Sequence, residues 1–303
     1  MASTTMKDLL LSVKTLLGTE TSSGGTLYGI KQVKRGVLPP RNQYPMIILL
    51  PAGERYTRYY SGNKARVERS IEIHVVNKDL RGVQGFKNNE DYMDALTEKL
   101  RSNPTLPDSL AAPTTEIMVP GSENFNEVET PEGILLDSVT TVMYSSTESL
   151  PAPTIERDQV DDPSPKSIAD AIHSRLRTLK LTTLSSVKEI SRGDWGPHLQ
   201  MPMIMVASAS EASSLLEING QDVMNGTYYV ILRSEVLGAS DQTLDNHLTM
   251  LEPLKQGLQA TPQWSGMCRR SFIDNIGFSS ELPDNKALYQ TTIELVTESK
   301  RNI

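Results

Sequence analysis

The chain has 303 residues, 38% apolar and 22% charged, with a mean hydropathy of −0.33, a composition expected of about two ordinary globular domains. Its net charge of −7 and pI near 5.3 exclude a basic nucleic-acid footprint over the whole surface, though not a local basic lining. The single cysteine, Cys268, excludes an intrachain disulfide. Met1–Asp8 lacks the basic and apolar regions of a signal peptide, and no apolar run approaches the ~20 residues that span a bilayer, so synthesis in the cytoplasm without membrane insertion is expected.

The first predicted element is an amphipathic helix over Met6–Leu17. Ser22-Ser23-Gly24-Gly25 follows, with neither the Lys-Ser/Thr of a P-loop nor a third glycine, and reads as a surface loop. A strand is expected over Tyr28–Lys34, ending at Arg35-Gly36. After a Pro-rich turn, Pro45–Leu50 reads as a short buried strand. A hairpin comes next: Glu54–Tyr60 goes out, Ser61-Gly62-Asn63 turns, and Ala65–Val76 returns, with Ile71, Ile73 and Val75 alternating toward a buried face. A second helix is predicted over Asn89–Ser102, with Met93, Leu96 and Leu100 on one face. Glu90, Asp91 and Asp94 fall on its early turns, where they favour the helix dipole. A loop at Asn103–Leu106 leads to two closing strands, the last over Leu135–Tyr144.

Ser149–Ser164 holds Pro151, Pro153, Pro163, Glu156, Asp158, Asp161 and Asp162, the chemistry of an extended linker. The same order of elements then returns. A helix over Pro165–Leu179 has Ser164 as N-cap and Pro165 in its first turn, with Ile168, Ile172, Leu176 and Leu179 at helical spacing. A strand over Ser185–Ser191 leads to Arg192-Gly193. Pro202–Val206 reads as a buried strand. Ser214–Ile218 runs into Asn219-Gly220, a hairpin signal, and a second such pair, Asn225-Gly226, precedes a strand in which Tyr228, Val230 and Leu232 alternate. Leu244, Leu248, Leu251 and Leu254 mark a helix that Pro253 is expected to kink or break. Thr261-Pro262-Gln263-Trp264 forms a loop, and Leu288–Thr297 is the last strand.

Sliding the sequence along itself by 157 residues places Thr26–Ile47 on Thr183–Ile204. Ten of the twenty-two positions are then identical, among them Lys31/Lys188, Arg35/Arg192, Gly36/Gly193, Pro40/Pro197, Pro45/Pro202 and Ile47/Ile204. Each copy is long enough for its own core. The expected architecture is α+β: two tandem copies of a domain with a mostly antiparallel sheet and helices packed on one face. The first domain covers 1–148, the linker 149–164 and the second domain 165–303.

Chemistry is harder to find. His74, His173, His198 and His247 lack ligands at metal spacing, and none aligns with a histidine in the other copy. Cys268 precedes Arg269-Arg270 but has no histidine partner and reads as buried or inert. No catalytic, cofactor or metal residue is therefore assigned, and the protein is not expected to be an enzyme. Two basic groups stand out instead. Lys31, Arg35, Lys188 and Arg192 repeat between the copies, either as contacts to a neighbouring subunit or as ties for the loop that follows each glycine. In the first hairpin, Arg55, Arg58, Lys64, Arg66 and Arg69 interleave with Tyr56, Tyr59 and Tyr60, a mixture suited to an interface.

An opening helix, a strand ending at Arg-Gly, a Pro-rich turn into Pro-Met-Ile, a long hairpin, a helix leading into a proline loop and two closing strands together resemble the tail terminator, or tail completion, proteins of long-tailed bacteriophages and related neck proteins. That family has one such unit and this chain has two. The resemblance implies a structural virion protein of the tail and neck, forming a ring that caps the finished tail tube at its head-proximal end and joins it to the neck. Its partners would be further copies of itself (six chains, or three making a pseudo-sixfold ring), the tail tube protein, a neck or adaptor protein, the sheath where one is present, and passing DNA without specificity. No cofactor and no membrane are implied. The alternatives are a head–tail adaptor or stopper, a tube-like protein, a nucleic-acid module using the Arg/Tyr hairpin, or, more distantly, a small-molecule enzyme with an inter-domain site.

Overall fold

Thr5 and Ser164 begin the two leading helices of the computed structural model, which describes residues 4–37, 43–58, 64–78, 83–103, 106, 116–118, 124–130, 133–150, 163–193, 200–217, 221–235, 240–261, 263–281 and 288–302. Thr5 Oγ1 accepts from the Asp8 backbone at 3.1 Å, and Asp8 Oδ2 accepts from the Thr5 N–H at 3.2 Å, a reciprocal cap. Ser164 accepts from the Ser167 N–H at 3.1 Å, with Pro165 in the first turn where a missing N–H costs nothing. From these starts α1 runs over Met6–Glu20 and α3 over Pro165–Lys180. Met6, Leu9, Leu10, Val13 and Leu17 are buried along α1, and Ile168, Ile172 and Leu176 along α3.

The chain divides into two compact units. One comprises Met1–Glu54, Arg66–Glu148 and Leu237–Asp245; the other comprises Arg55–Ala65, Ser149–Val236 and Asn246–Ile303. They are not plain halves, since the middle of the first hairpin groups with the second unit and the start of the last helix with the first.

In the first unit β1 (Gln32–Arg35) pairs in parallel with β2 (Met46–Arg58). Next to β2 comes β3 (Lys64–Lys78) and next to β3 comes β6 (Gly133–Ser149), while β4 (Glu116–Met118) and β5 (Asn124–Thr130) both pair antiparallel with β6. The helix α2 (Val83–Ser102) follows β3 in the chain. In the second unit β7 (Glu189–Arg192) pairs in parallel with β8 (Met203–Glu217). The order continues through β9 (Gln221–Glu235) and β11 (Leu288–Asn302) to β10 (Arg270–Glu281), all antiparallel, with α4 (Ser240–Gln259) following β9. Both units thus read helix, short parallel edge strand, two long strands, helix and closing strands. The class is α+β with a mostly antiparallel sheet.

Strand parity decides the core. In β3 the odd positions Ala65, Val67, Ile71, Ile73 and Val75 are buried, and the even positions between them are more accessible. In β9, Tyr228, Val230 and Leu232 do the same. Met93, Leu96 and Leu100 of α2, and Leu244, Leu248, Leu251, Leu254 and Leu258 of α4, supply the helical side. Met46, Ile48, Val76 and Leu135 form a further cluster with Tyr44 and Leu50 packed against it.

Several sequence expectations need correction. The early strands begin later than predicted, at Gln32 and Glu189, because turns closed by Ile30 N–H on the Leu27 carbonyl and by Val187 N–H on the Leu184 carbonyl occupy the expected starts, with Gly29 at a φ of +111° in the first. Gly36 and Gly193, at φ +87° and +79°, do end those strands as expected. The strand from Pro45 and the first arm of the hairpin are one continuous β2, and β8 is likewise one strand of 15 residues. Asn225-Gly226 lies inside β9 instead of turning the chain. There Thr297 Oγ1 donates to the Gly226 carbonyl at 3.3 Å, and a Cβ on Gly226 would meet Thr297 and the Tyr228 ring at 3.0 Å, so the glycine serves a close approach. The helix α4 runs through Pro253 unbroken to Gln259, its apolar face outweighing one lost backbone bond. The helix α2 starts at Val83, which moves Glu90, Asp91 and Asp94 out of its first turn. The turns at Ser61-Gly62-Asn63 and Asn219-Gly220, and most of the linker, lie outside the described residues.

Candidate interaction surface

The basic residues singled out by sequence separate into three groups. Arg55 and Lys64 are exposed, and Arg66 is partly so, its Nε donating to Ser145 Oγ at 2.8 Å and lying 3.2 Å from Glu68. Tyr59 and the Arg58 side chain lie outside the described residues. Tyr56 and Arg69 are buried. Tyr56 sits in the second unit with Lys255 Nζ 5.9 Å from its ring centre.

Arg69 is the clearest correction to the patch. It is 2% exposed, on the apolar parity of β3, between two carboxylates. Its guanidinium donates to Glu148 at 2.6 Å and Ser146 at 3.1 Å, and Nε lies 3.6 Å from Glu54, itself 1% exposed. A charge so buried persists because it is paired, and it offers nothing to a partner. Counting positions from Ile71 back through Val67 would have shown this, since Arg69 shares their face.

Arg35 is also withdrawn from the surface. It is 5% exposed, makes a two-pronged pair with Asp245 at 2.8 and 3.0 Å, and its backbone N–H donates to Asp241 at 2.8 Å. Lys14 of α1 pairs with the same Asp241. Four side chains distant in sequence thereby fasten β1, α1 and the first turns of α4 within one unit. Its counterpart Arg192 is partly exposed and pairs with Asp170 of α3. Lys31 and Lys188 remain exposed, and their conserved geometry lies in the backbone: each N–H donates to a proline carbonyl, Pro45 at 2.7 Å and Pro202 at 2.8 Å.

Two buried polar pins escaped the sequence reading. Asn89 of α2, fully buried, donates to the carbonyls of Val75 and Leu136 at 3.2 Å and to Ser138 Oγ at 3.0 Å. In the second unit His247 of α4 meets Ser234 Oγ at 2.7 Å through Nδ1 and Thr291 Oγ1 at 2.8 Å through Nε2. Burial drives the His247 pKa down to about 3, so the imidazole is neutral. Both residues sit on the apolar stripe of their helices, where a polar residue four before Met93, or four before Leu251, is the available signal.

The remaining titratable groups have structural surroundings. Burial alone would lower the pKa of His74, but the Asp137 carboxylate at 3.0 Å and the Glu72 carboxylate at 3.7 Å raise it to about 9. Burial pushes the Cys268 thiol up to about 12, far from a nucleophile's range. His173 contacts the Ile190 carbonyl at 3.3 Å, and His198 lies outside the described residues. Among the described residues no cluster of His, Cys, Asp and Glu could hold a metal, and no helix is long and apolar enough to cross a membrane.

No protein-family model matches the chain, and no curated protein matches it. Among solved structures it is similar to a chain of the virion of a native gene transfer agent particle. That similarity has 10% identity and a TM-score of 0.33, over 46% of this chain and 95% of the other.

Proposed function

We propose that this chain is a structural virion protein, a tandem duplication of a tail-terminator-like domain that forms a closed ring at the head-proximal end of a phage tail, capping the tube and meeting the neck. The observation that carries this reading is the recurrence of one strand order. A parallel edge strand, two long strands and closing strands appear in that sequence in both units. A chain with two such units presents related surfaces twice, and repeated heterologous contacts that close make rings. Six chains are favoured over three, because the units differ where partners would touch: on the 157-residue shift, Arg55, Lys64 and Arg66 of the first hairpin fall on Ala212, Gln221 and Val223 of the second. Those basic residues, with Arg58 and Tyr59, are the proposed contact to the tube or the next subunit. Lys31 and Lys188 are the repeated pair that stays available. Opposite charge on the partner would speed docking and make it salt-sensitive.

The test is removal of the gene from a phage that encodes it. A terminator predicts tails of uncontrolled length that fail to join heads, restored by the protein in trans. Tails of normal length, with heads filled but leaking DNA, would point to the stopper instead.

A further inference from the structure

The second unit carries a concave feature that the ring reading does not use. A groove of about 610 Å³ runs along α3, walled by Ser167, Asp170, Ser174, Arg175 and Thr178 and, opposite, by the loop through Trp264. That loop is firmly shaped. Trp264, Ser265 and Gly266 take φ of 46°, 61° and 77°, three successive residues in the left-handed region. The buried Trp264 donates from Nε1 to Ser271 Oγ at 2.8 Å, and Cys268 N–H donates to the Gln263 carbonyl at 3.1 Å. Such a wall does not collapse to fill the groove.

Arg175 is the group in it that lacks an acceptor. Its Nε is shielded from solvent without a hydrogen bond, and it makes no ion pair among the described residues. The nearby Asp170 is already paired with Arg192. A guanidinium facing small hydroxyl side chains is suited to a carboxylate, which it can grip with two parallel bonds. The helix that forms this wall agrees in sign: α3 carries Lys166, Arg175, Arg177 and Lys180 against Asp170 alone, in a chain of net −7.

The sequence itself contains the complement. Glu156-Arg157-Asp158-Gln159-Val160-Asp161-Asp162 places four carboxylates in seven residues between prolines. Ser167 to Thr178 rises about 17 Å along the helix, which five or six extended residues cover at ~3.3 Å each. We propose that the groove along α3 holds the acidic segment Glu156–Asp162 of a second copy of this chain, with a carboxylate on Arg175. This rests on the self-association reading and specifies one contact within it: the segment leading into one second unit ties onto the second unit of its neighbour.

The experiment uses the full chain with p-benzoylphenylalanine in place of the exposed Thr178, prepared in isotopically light and heavy forms, mixed, irradiated and mapped by mass spectrometry. The expected result is cross-links from position 178 to residues 149–162 joining light to heavy chains. Arg175→Gln, or Glu156→Gln with Asp158→Asn, Asp161→Asn and Asp162→Asn, should lower their yield about tenfold, the loss of one charge-assisted hydrogen bond. Cross-links confined to single chains, none to that segment, or a yield unchanged by either variant would overturn the proposal. Mass photometry of the same samples separates the two readings: an oligomer without the cross-link defeats the groove contact alone, and a monomer at all concentrations defeats both.

Discussion

Replacing Arg69 with Met removes the positive charge that pairs with both Glu54 and Glu148 while keeping much of the side-chain volume. All three side chains are nearly sealed, at 2%, 0% and 6% exposed, so the two carboxylates would lose the buried positive charge that pairs with both. Breaking a buried pair from one side costs about 3–5 kcal/mol. For a cooperative unit of this size each kcal/mol shifts the melting temperature by about 2–4 °C, so Arg69→Met should melt roughly 6–20 °C below the parent. Calorimetry and urea titration of the full chain measure this directly. Adding Glu54→Gln and Glu148→Gln to Arg69→Met should recover most of the loss, because a neutral site no longer holds stranded charge. A loss under about 1 kcal/mol for Arg69→Met would refute the buried-charge account and return Arg69 to the exposed patch.

His74 gives a pH signature. Its pKa is raised to about 9 by Asp137 and Glu72, so its contribution to stability is fully present below the unfolded value near 6.5 and is lost as pH rises toward 9. An NMR titration should find it there, and Asp137→Asn should bring it down. His247 does the reverse: held neutral with a pKa of about 3, it makes the fold less stable as pH falls below 6.5, by up to ~1.4 kcal/mol per pH unit. His247→Gln should flatten that slope in urea titrations between pH 4 and 6.5. Gly226→Ala forces a methyl against Thr297 and Tyr228 and should cost about 1–3 kcal/mol by denaturation, whereas relief of the clash with unchanged stability would show that β9 can shift.

Where one physical rule dominates, the sequence was readable. Ser164-Pro165 marked the start of α3, and the alternation of Ile71, Ile73 and Val75 marked the buried face of β3, because caps and strand parity act over a few residues. Arg-Gly marked the end of each edge strand for the same reason. Long-range partners were not readable. Nothing near Arg35 announces Asp245, more than 200 positions away, and nothing near Asn89 announces Ser138. The Asn225-Gly226 pair misled because its turn chemistry is local, while its role is set by Thr297 on the neighbouring strand. The basic hairpin was overcounted because charge was weighed ahead of parity at Arg69.

The central claim is closure into a ring, and electron microscopy of the purified full chain in negative stain tests it most directly, with mass photometry on the same preparation. The account predicts annular particles of one size with a central channel, their mass six times that of the 33.5 kDa chain, or three times in the pseudo-sixfold arrangement. Raising salt, or replacing Arg55, Arg58 and Arg66 with Ser, should reduce their yield while the circular dichroism spectrum stays unchanged. A monodisperse monomer at every concentration, with no annular particles even when tail tubes are supplied, would contradict it.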